Sequence, residues 1–142
     1  MSNLLQAFLS QNVEKVSTIK EVVSNRFKDS AGKPIPFEFK AISNEQDKEL
    51  RRSCTTETRA KKRGPYVNKF DNDAYFDKFT AASIVFPDLK NAELQKSYSV
   101  MGEVDLLKAM LTPGELTEAK LVAQAVNGYD KDMNELVEEV KN

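Results

Sequence analysis

The residues best spaced for chemistry in this chain are acidic. Asp130-Lys131-Asp132-Met133-Asn134 sets oxygen atoms at alternate positions, as the opening of a calcium loop does. Such a loop also needs a glycine at its sixth position and a bidentate glutamate at its twelfth, where this chain has Glu135 and Lys141. The run reads instead as a capped helix start, with its acids near the positive end of the helix dipole. Asp71-Asn72-Asp73 fails the same test, because Tyr75 and Phe76 fall in a ligand slot and the glycine slot. It too reads as a cap. Gly32-Lys33 lacks the upstream glycine and the Ser/Thr of a phosphate-binding loop, and reads as a turn. No histidine is present to activate a serine, and no Gly-x-Ser-x-Gly elbow occurs. Cys54 is the only cysteine, which excludes an internal disulfide. With no base nearby in sequence it is expected to be a buried structural thiol. No catalytic, cofactor-binding or metal-binding residues are expected, and the chain reads as a protein that works by binding.

Two stretches could do that binding. Arg51, Arg52, Arg59, Lys61, Lys62 and Arg63 stand against Glu57 alone, with Tyr66 and Phe70 just beyond. A loop of this kind can track phosphates and stack bases. However, the whole chain carries a formal charge of −1, so it has no overall field to attract nucleic acid. A solvated loop or a docking surface for an acidic partner is the preferred reading. The second stretch carries Leu4, Leu5, Phe8 and Leu9 at one-turn spacing, followed by a polar tether over residues 10–18. Its apolar stripe must dock on this chain's own body or on a neighbour. The expected partner-binding residues are therefore Leu4, Leu5, Phe8 and Leu9 on the arm, and Arg59, Lys61, Lys62 and Arg63 on the basic stretch.

Positioning these groups falls to one small domain. At 142 residues, 40% hydrophobic and 30% charged, the chain can bury a modest core, and its apolar runs are too short to span a membrane. Residues 1–18 read as arm and tether, and residues 19–142 as a single α+β domain. Within that domain a hairpin is expected over 19–42. Ile35, Phe37, Phe39 and Ala41 alternate with polar residues in one strand, Val22, Val23 and Phe27 supply the other, and the turn lies at 28–33. Pro34 and Pro36 cannot donate to a ladder, which predicts a free edge on the second strand. Ser43 with Gln46 forms a capping box for a helix bearing Leu50 and Cys54. Residues 55–70 are expected to protrude as a loop or loose hairpin, and 71–142 to be helical. An almost wholly apolar helix over 72–86, capped by Asp71 or Asn72, forms the centre and ends at Pro87. A short helix over 92–101 follows, then a stripe of Val104, Leu107 and Leu111, and Pro113-Gly114 break the chain. A helix over 115–127 stops at Gly128, and another runs over 131–141. The expected fold class is α+β, an N-terminal β-hairpin packed on a mostly helical bundle.

Several segments resemble the XkdN-like tail assembly chaperones of phage and defective-prophage tail operons. They are Arg26-Phe27-Lys28-Asp29 with Gly32-Lys33-Pro34, then Arg51-Arg52-Ser53-Cys54-Thr55, then Val85-Phe86-Pro87-Asp88-Leu89-Lys90. Ala92-Glu93-Leu94-Gln95-Lys96-Ser97-Tyr98, Met101-Gly102 and Leu111-Thr112-Pro113-Gly114-Glu115 follow. Asn127-Gly128-Tyr129-Asp130 and Leu136-Val137-Glu138-Glu139 close the series. None of these is a catalytic motif. The resemblance implies a non-enzymatic assembly factor of the bacterial host cytoplasm that binds the tape-measure protein and other tail proteins. It also implies assistance to tail-tube assembly; self-association is a further expectation, and no membrane partner is expected. The alternatives are a structural tail or connector protein retained in the particle, and, less favoured, a small nucleic-acid-binding regulator using residues 51–63.

Overall fold

Phe37 and Phe39 organise the N-terminal sheet of the computed structural model, which describes residues 2–129. Strand β2 (Phe37–Phe39) buries both rings and leaves Glu38 half-buried between them, the alternation of a pleated strand. It pairs antiparallel with β1 (Ile19–Glu21), Ile19 opposite Phe39 and Glu21 opposite Phe37. The ladder is short because Val22, Val23 and Phe27 do not extend it. Val23 turns into the core and Phe27 packs on that core from the loop beyond. The expected turn is present: Asp29 accepts the Ala31 and Lys33 amides at 2.9 and 3.0 Å, and Gly32 takes φ +81°.

The other edge of β2 is not free. It pairs antiparallel with a strand from much later in the chain, β5 (Ile84–Phe86), giving the order β1-β2-β5. Pro34 sits in an isolated antiparallel bridge opposite Lys28, where the bonds come from the Asp29 and Ile35 amides on either side, and Pro36 precedes β2, so the missing donors cost the pairing nothing. The same strand corrects the helix expected over 72–86. That helix, α3 (Asn72–Ser83), is capped by the Asp71 carboxylate accepting from the Ala74 amide at 3.0 Å, and it stops at Ser83. Ile84 and Val85 are β-branched, Pro87 biases Phe86 away from helical dihedrals, and β2 offers an open edge. The three residues therefore leave the helix for the sheet.

Helix α2 (Asn44–Ser53) begins with the Ser43–Gln46 capping box and ends at buried Cys54. Helices α4 (Ala92–Ser97), α5 (Glu103–Met110) and α6 (Pro113–Val126) follow α3. Pro113-Gly114 do not break the chain but open α6. Thr112 caps its first turn, Glu115 completes a second capping box, and Pro113 sits where its missing N–H is harmless. Tyr75 and Phe79 of α3, Leu106 and Leu107 of α5, and Ala119 and Ala123 of α6 form the centre of the core. Asn127 ties the sheet to this bundle. It accepts the Ile42 amide at 2.9 Å and donates to Ser83 Oγ at 3.0 Å and to the Ala123 carbonyl at 2.7 Å. Gly128 follows at φ +93°, the expected helix stop. The expected helix over 131–141 and the calcium-like run that opens it lie outside the described residues. The architecture is α+β. No helix among the described residues is long and apolar enough to cross a membrane.

Candidate partner-binding surfaces

The arm opens with α1 (Ser2–Gln6), and looser turns carry it on to Leu9. Asn12 donates from Nδ2 to the Gln6 carbonyl at 2.9 Å and so closes the helix end. Leu4, Leu5, Phe8 and Leu9 are 72%, 67%, 81% and 41% exposed, and Val13 and Val16 on the tether are exposed as well. Among the described residues, the stripe does not dock on the body of the chain. Full burial of a side chain of this kind is worth about 1.5–3 kcal/mol. The arm is therefore a concentrated apolar surface that no other described residue covers.

The basic stretch divides into two parts with different roles. Arg51 and Arg52 lie on α2 and are committed to neighbours there, Arg51 to Asp47 at 3.0 Å and Arg52 to Glu49 at 2.9 Å. The remainder forms a true hairpin, β3 (Thr55–Thr58) with β4 (Val67–Phe70), Thr55 opposite Phe70 and Thr58 opposite Val67. All eight strand residues are exposed, so among the described residues neither face is covered. At the tip the Arg59 guanidinium stacks 4.2 Å from the centre of the Tyr66 ring. Lys61, Lys62 and Arg63 are exposed, and among the described residues none of them is in an ion pair.

A dense contact fixes the base of this hairpin. Asp71 donates its amide to the Cys54 carbonyl at 2.8 Å, closing the loop between α2 and α3. The Tyr75 hydroxyl donates to Asp47, and the Arg51 guanidinium lies 4.5 Å over the Tyr75 ring. Burial, reinforced by the Asp47 carboxylate, pushes the Tyr75 phenol well above its ordinary range. Burial also works against ionised Asp47, but hydrogen bonds from Tyr75 and Arg51 outweigh it and leave that carboxyl below its usual value. Phe70 packs 5.5 Å from Tyr75, Tyr75 lies 5.7 Å from Phe79, and Phe79 lies 6.2 Å from Tyr129. An aromatic track thus runs from the hairpin base to the end of the described chain.

Two further ionic ties hold the body together. Arg26 reaches from the loop after β1 to Glu115 at 2.5 Å and to the Met110 carbonyl at 2.7 Å. The Arg26 hydrogen bond, with others from Ser24 and the Thr112 cap, brings the Glu115 carboxyl down to about 2. Asp77 of α3 is buried and receives Lys108 of α5 at 2.9 Å and Lys120 of α6 at 3.0 Å. Asp77 therefore clasps three helices. Neither tie was legible in the sequence, because each joins residues dozens of positions apart. Val85 and Phe86, expected in the core helix, instead lie exposed on edge strand β5, a further apolar patch.

Cys54 is 4% exposed within the hydrophobic core, with Ser53 Oγ 3.8 Å from its sulfur. Among the described residues no group of three or more acidic or cysteine side chains is placed to hold a metal ion. The described surface carries an exposed apolar arm and an exposed hairpin with cations and an aromatic ring at its tip.

The chain belongs to the phage XkdN-like tail assembly chaperone proteins, whose family model matches residues 5–141. It is similar to the phage-like element PBSX protein XkdN of Bacillus subtilis (strain 168), at 31% identity over 139 residues, covering 97% of this chain and 93% of that one. The uncharacterized protein YqbN of the same organism matches at the same identity and coverage. The crystal structure of YqbN has the same fold, with a TM-score of 0.74 at 25% identity, covering 86% of this chain and 93% of that chain.

Proposed function

We propose that this chain acts by binding alone, in the bacterial cytoplasm, as a chaperone that holds the tape-measure protein while tail-tube subunits assemble around it. Membership in the tail assembly chaperone family supports the general role. The observation that carries the finer reading is the exposed arm, with Leu4, Leu5, Phe8 and Leu9 all exposed on α1 and the turns after it. An extended, helical, aggregation-prone client offers apolar stripes of the kind such an arm can cover. The hairpin tip, with Arg59, Lys61, Lys62 and Arg63, supplies charge that sets the register against acidic positions on the client.

Co-expression with the tape-measure protein, followed by co-purification and titration, tests this. Leu4→Glu with Phe8→Glu, and separately Lys61→Glu with Lys62→Glu, should each weaken binding by about tenfold or more, the equivalent of about 1.4 kcal/mol. Native affinity in both double variants, or no complex with the wild-type chain, would refute the assignment.

A further inference from the structure

Two surfaces of opposite charge lie at the two ends of α3. The β3–β4 hairpin leads into the helix at Asp71, and its tip carries Arg59, Lys61, Lys62 and Arg63 with no acid between Thr58 and Tyr66. Where the helix ends, Ala81, Ala82, Ile84 and Leu89 line an apolar groove with exposed Val85 at its edge. The twelve residues of α3 put about 18 Å between the two. A second groove adjoins the first at Lys90 and Glu103 and runs on past Gly102 to Asp105. On the rims of both, Asp88, Glu103 and Asp105 stand against Lys90, which approaches Glu103 at 3.9 Å.

Met101 stands in the second groove, 88% exposed. Its loop is held from both sides. Gln95 donates from Nε2 to the Leu89 carbonyl at 2.7 Å and accepts the Gly102 amide at 3.1 Å. Ser99 and Gly102 take φ of +57° and +97°, and a serine keeps that conformation only where its surroundings fix it. Among the described residues, tip and groove stay apart within one copy: Lys61, Lys62, Arg63, Val85, Met101 and Asp105 are all exposed. The hairpin base is fixed as well, by the Asp71 amide on the Cys54 carbonyl and by Phe70 against Tyr75.

We propose that the cationic tip of one copy seats in the acidic, methionine-bearing groove of a second copy. The tip cations meet Asp88, Glu103 and Asp105, and Tyr66 packs on the Met101 thioether, a contact that sulfur and aromatic rings favour. Because tip and groove lie at opposite ends of α3, the contact is head-to-tail. Each copy then offers a free tip or a free groove to the next, and copies add beyond a pair. The contact needs no client, so it stands or falls separately from the client-binding reading.

Sedimentation velocity of the full-length chain at low salt, from about 10 μM to about 500 μM, tests this, and the sedimentation coefficient should climb past that of a dimer. Association should weaken about tenfold or more in about 1 M salt, where the screening length is about 3 Å. Lys61→Glu with Lys62→Glu, and separately Glu103→Lys with Asp105→Lys, should each sediment as monomers. An equal mixture of the two variants should associate again, because the native tip of one meets the native groove of the other and the two reversed surfaces also match. Glu103→Gln with Asp105→Asn, which keeps side-chain shape and removes charge, should weaken association about tenfold. A wild-type chain that stays monomeric, a species that stops at the dimer, variants that associate like wild type, or a mixture that stays monomeric would each overturn the proposal.

Discussion

Replacing Asp77 by asparagine removes the charge at the point where three helices meet. The carboxylate is buried, and its two oxygens take one lysine each, Lys108 at 2.9 Å and Lys120 at 3.0 Å. A hydrogen bond to a charged group is worth about 1.5–3 kcal/mol net. Lys108 is about half exposed, so its share is discounted toward the range of about 0–1 kcal/mol typical of surface pairs. Lys120 is 30% exposed and keeps more of its value. The expected loss is about 2–3 kcal/mol, which for a domain of this size lowers the thermal midpoint by about 6–12 °C. The sign of the pH dependence follows from the same geometry. Burial opposes ionisation of Asp77, but the lysine hydrogen bonds outweigh it and depress the carboxyl. The stabilisation is therefore fully present above the unfolded aspartate value of about 3.9 and is lost as pH falls through the lower folded value. Urea unfolding of both proteins from pH 7 to pH 2.5 should give a gap that is constant above about pH 5 and narrows below about pH 4. Lys120→Met should cost more than Lys108→Met. A gap under about 0.5 kcal/mol at pH 7, or one that widens in acid, would refute the clasp.

Phe79 is 2% exposed at the middle of α3, so Phe79→Ala should cost about 3–5 kcal/mol, read as loss of soluble folded protein or of most of the unfolding free energy. Arg26→Gln should let the Glu115 carboxyl rise from about 2 toward the ordinary glutamate range, followed by NMR titration of its side chain. Because the folded value is depressed, the contribution of that pair is present above the ordinary glutamate value and is lost as pH falls toward 2. Deleting residues 1–12 should leave the thermal midpoint of the isolated chain unchanged within a degree or two, since the arm side chains are exposed. A large drop in scanning calorimetry would show that the arm stabilises the body.

Local chemistry was legible from the residues alone. The Ser43–Gln46 box, the Asp71 cap, the turn at 28–33 and the stop at Gly128 all depend on groups within four residues of each other. The family was legible too, from short segments in a fixed order along the chain. Part of what failed was decided at long range. Ile84–Phe86 continue the apolar pattern of α3, and it takes the open edge of β2, more than forty residues earlier, besides their β-branching and Pro87, to turn them into a strand. Pro113-Gly114 look like a break until Thr112 and Glu115 are seen as a reciprocal cap, a signal that was present in the sequence and was outweighed by the proline. At the candidate surfaces, Leu4, Leu5, Phe8 and Leu9 and the tip cations stand exposed, whereas Arg51 and Arg52 proved to be tied to their own helix. Residue type alone cannot separate a committed cation from a free one.

Asn127 precedes Gly128, and an asparagine before glycine is the sequence most prone to age by cyclising to a succinimide. That reaction needs the Gly128 nitrogen to attack the Asn127 side-chain carbon. Here the nitrogen donates to the Ala125 carbonyl at 3.0 Å, and the carboxamide is pinned by Ile42, Ser83 and Ala123. The chemical clock is stopped while the end of α6 stays closed. Each time that end opens it can run, and the product would keep an acceptor for Ile42 but lose both donors, to Ser83 and to the Ala123 carbonyl. The pace of this ageing reaction is thus tied to how often one helix terminus lets go, and damage there removes two of the bonds that hold the terminus shut.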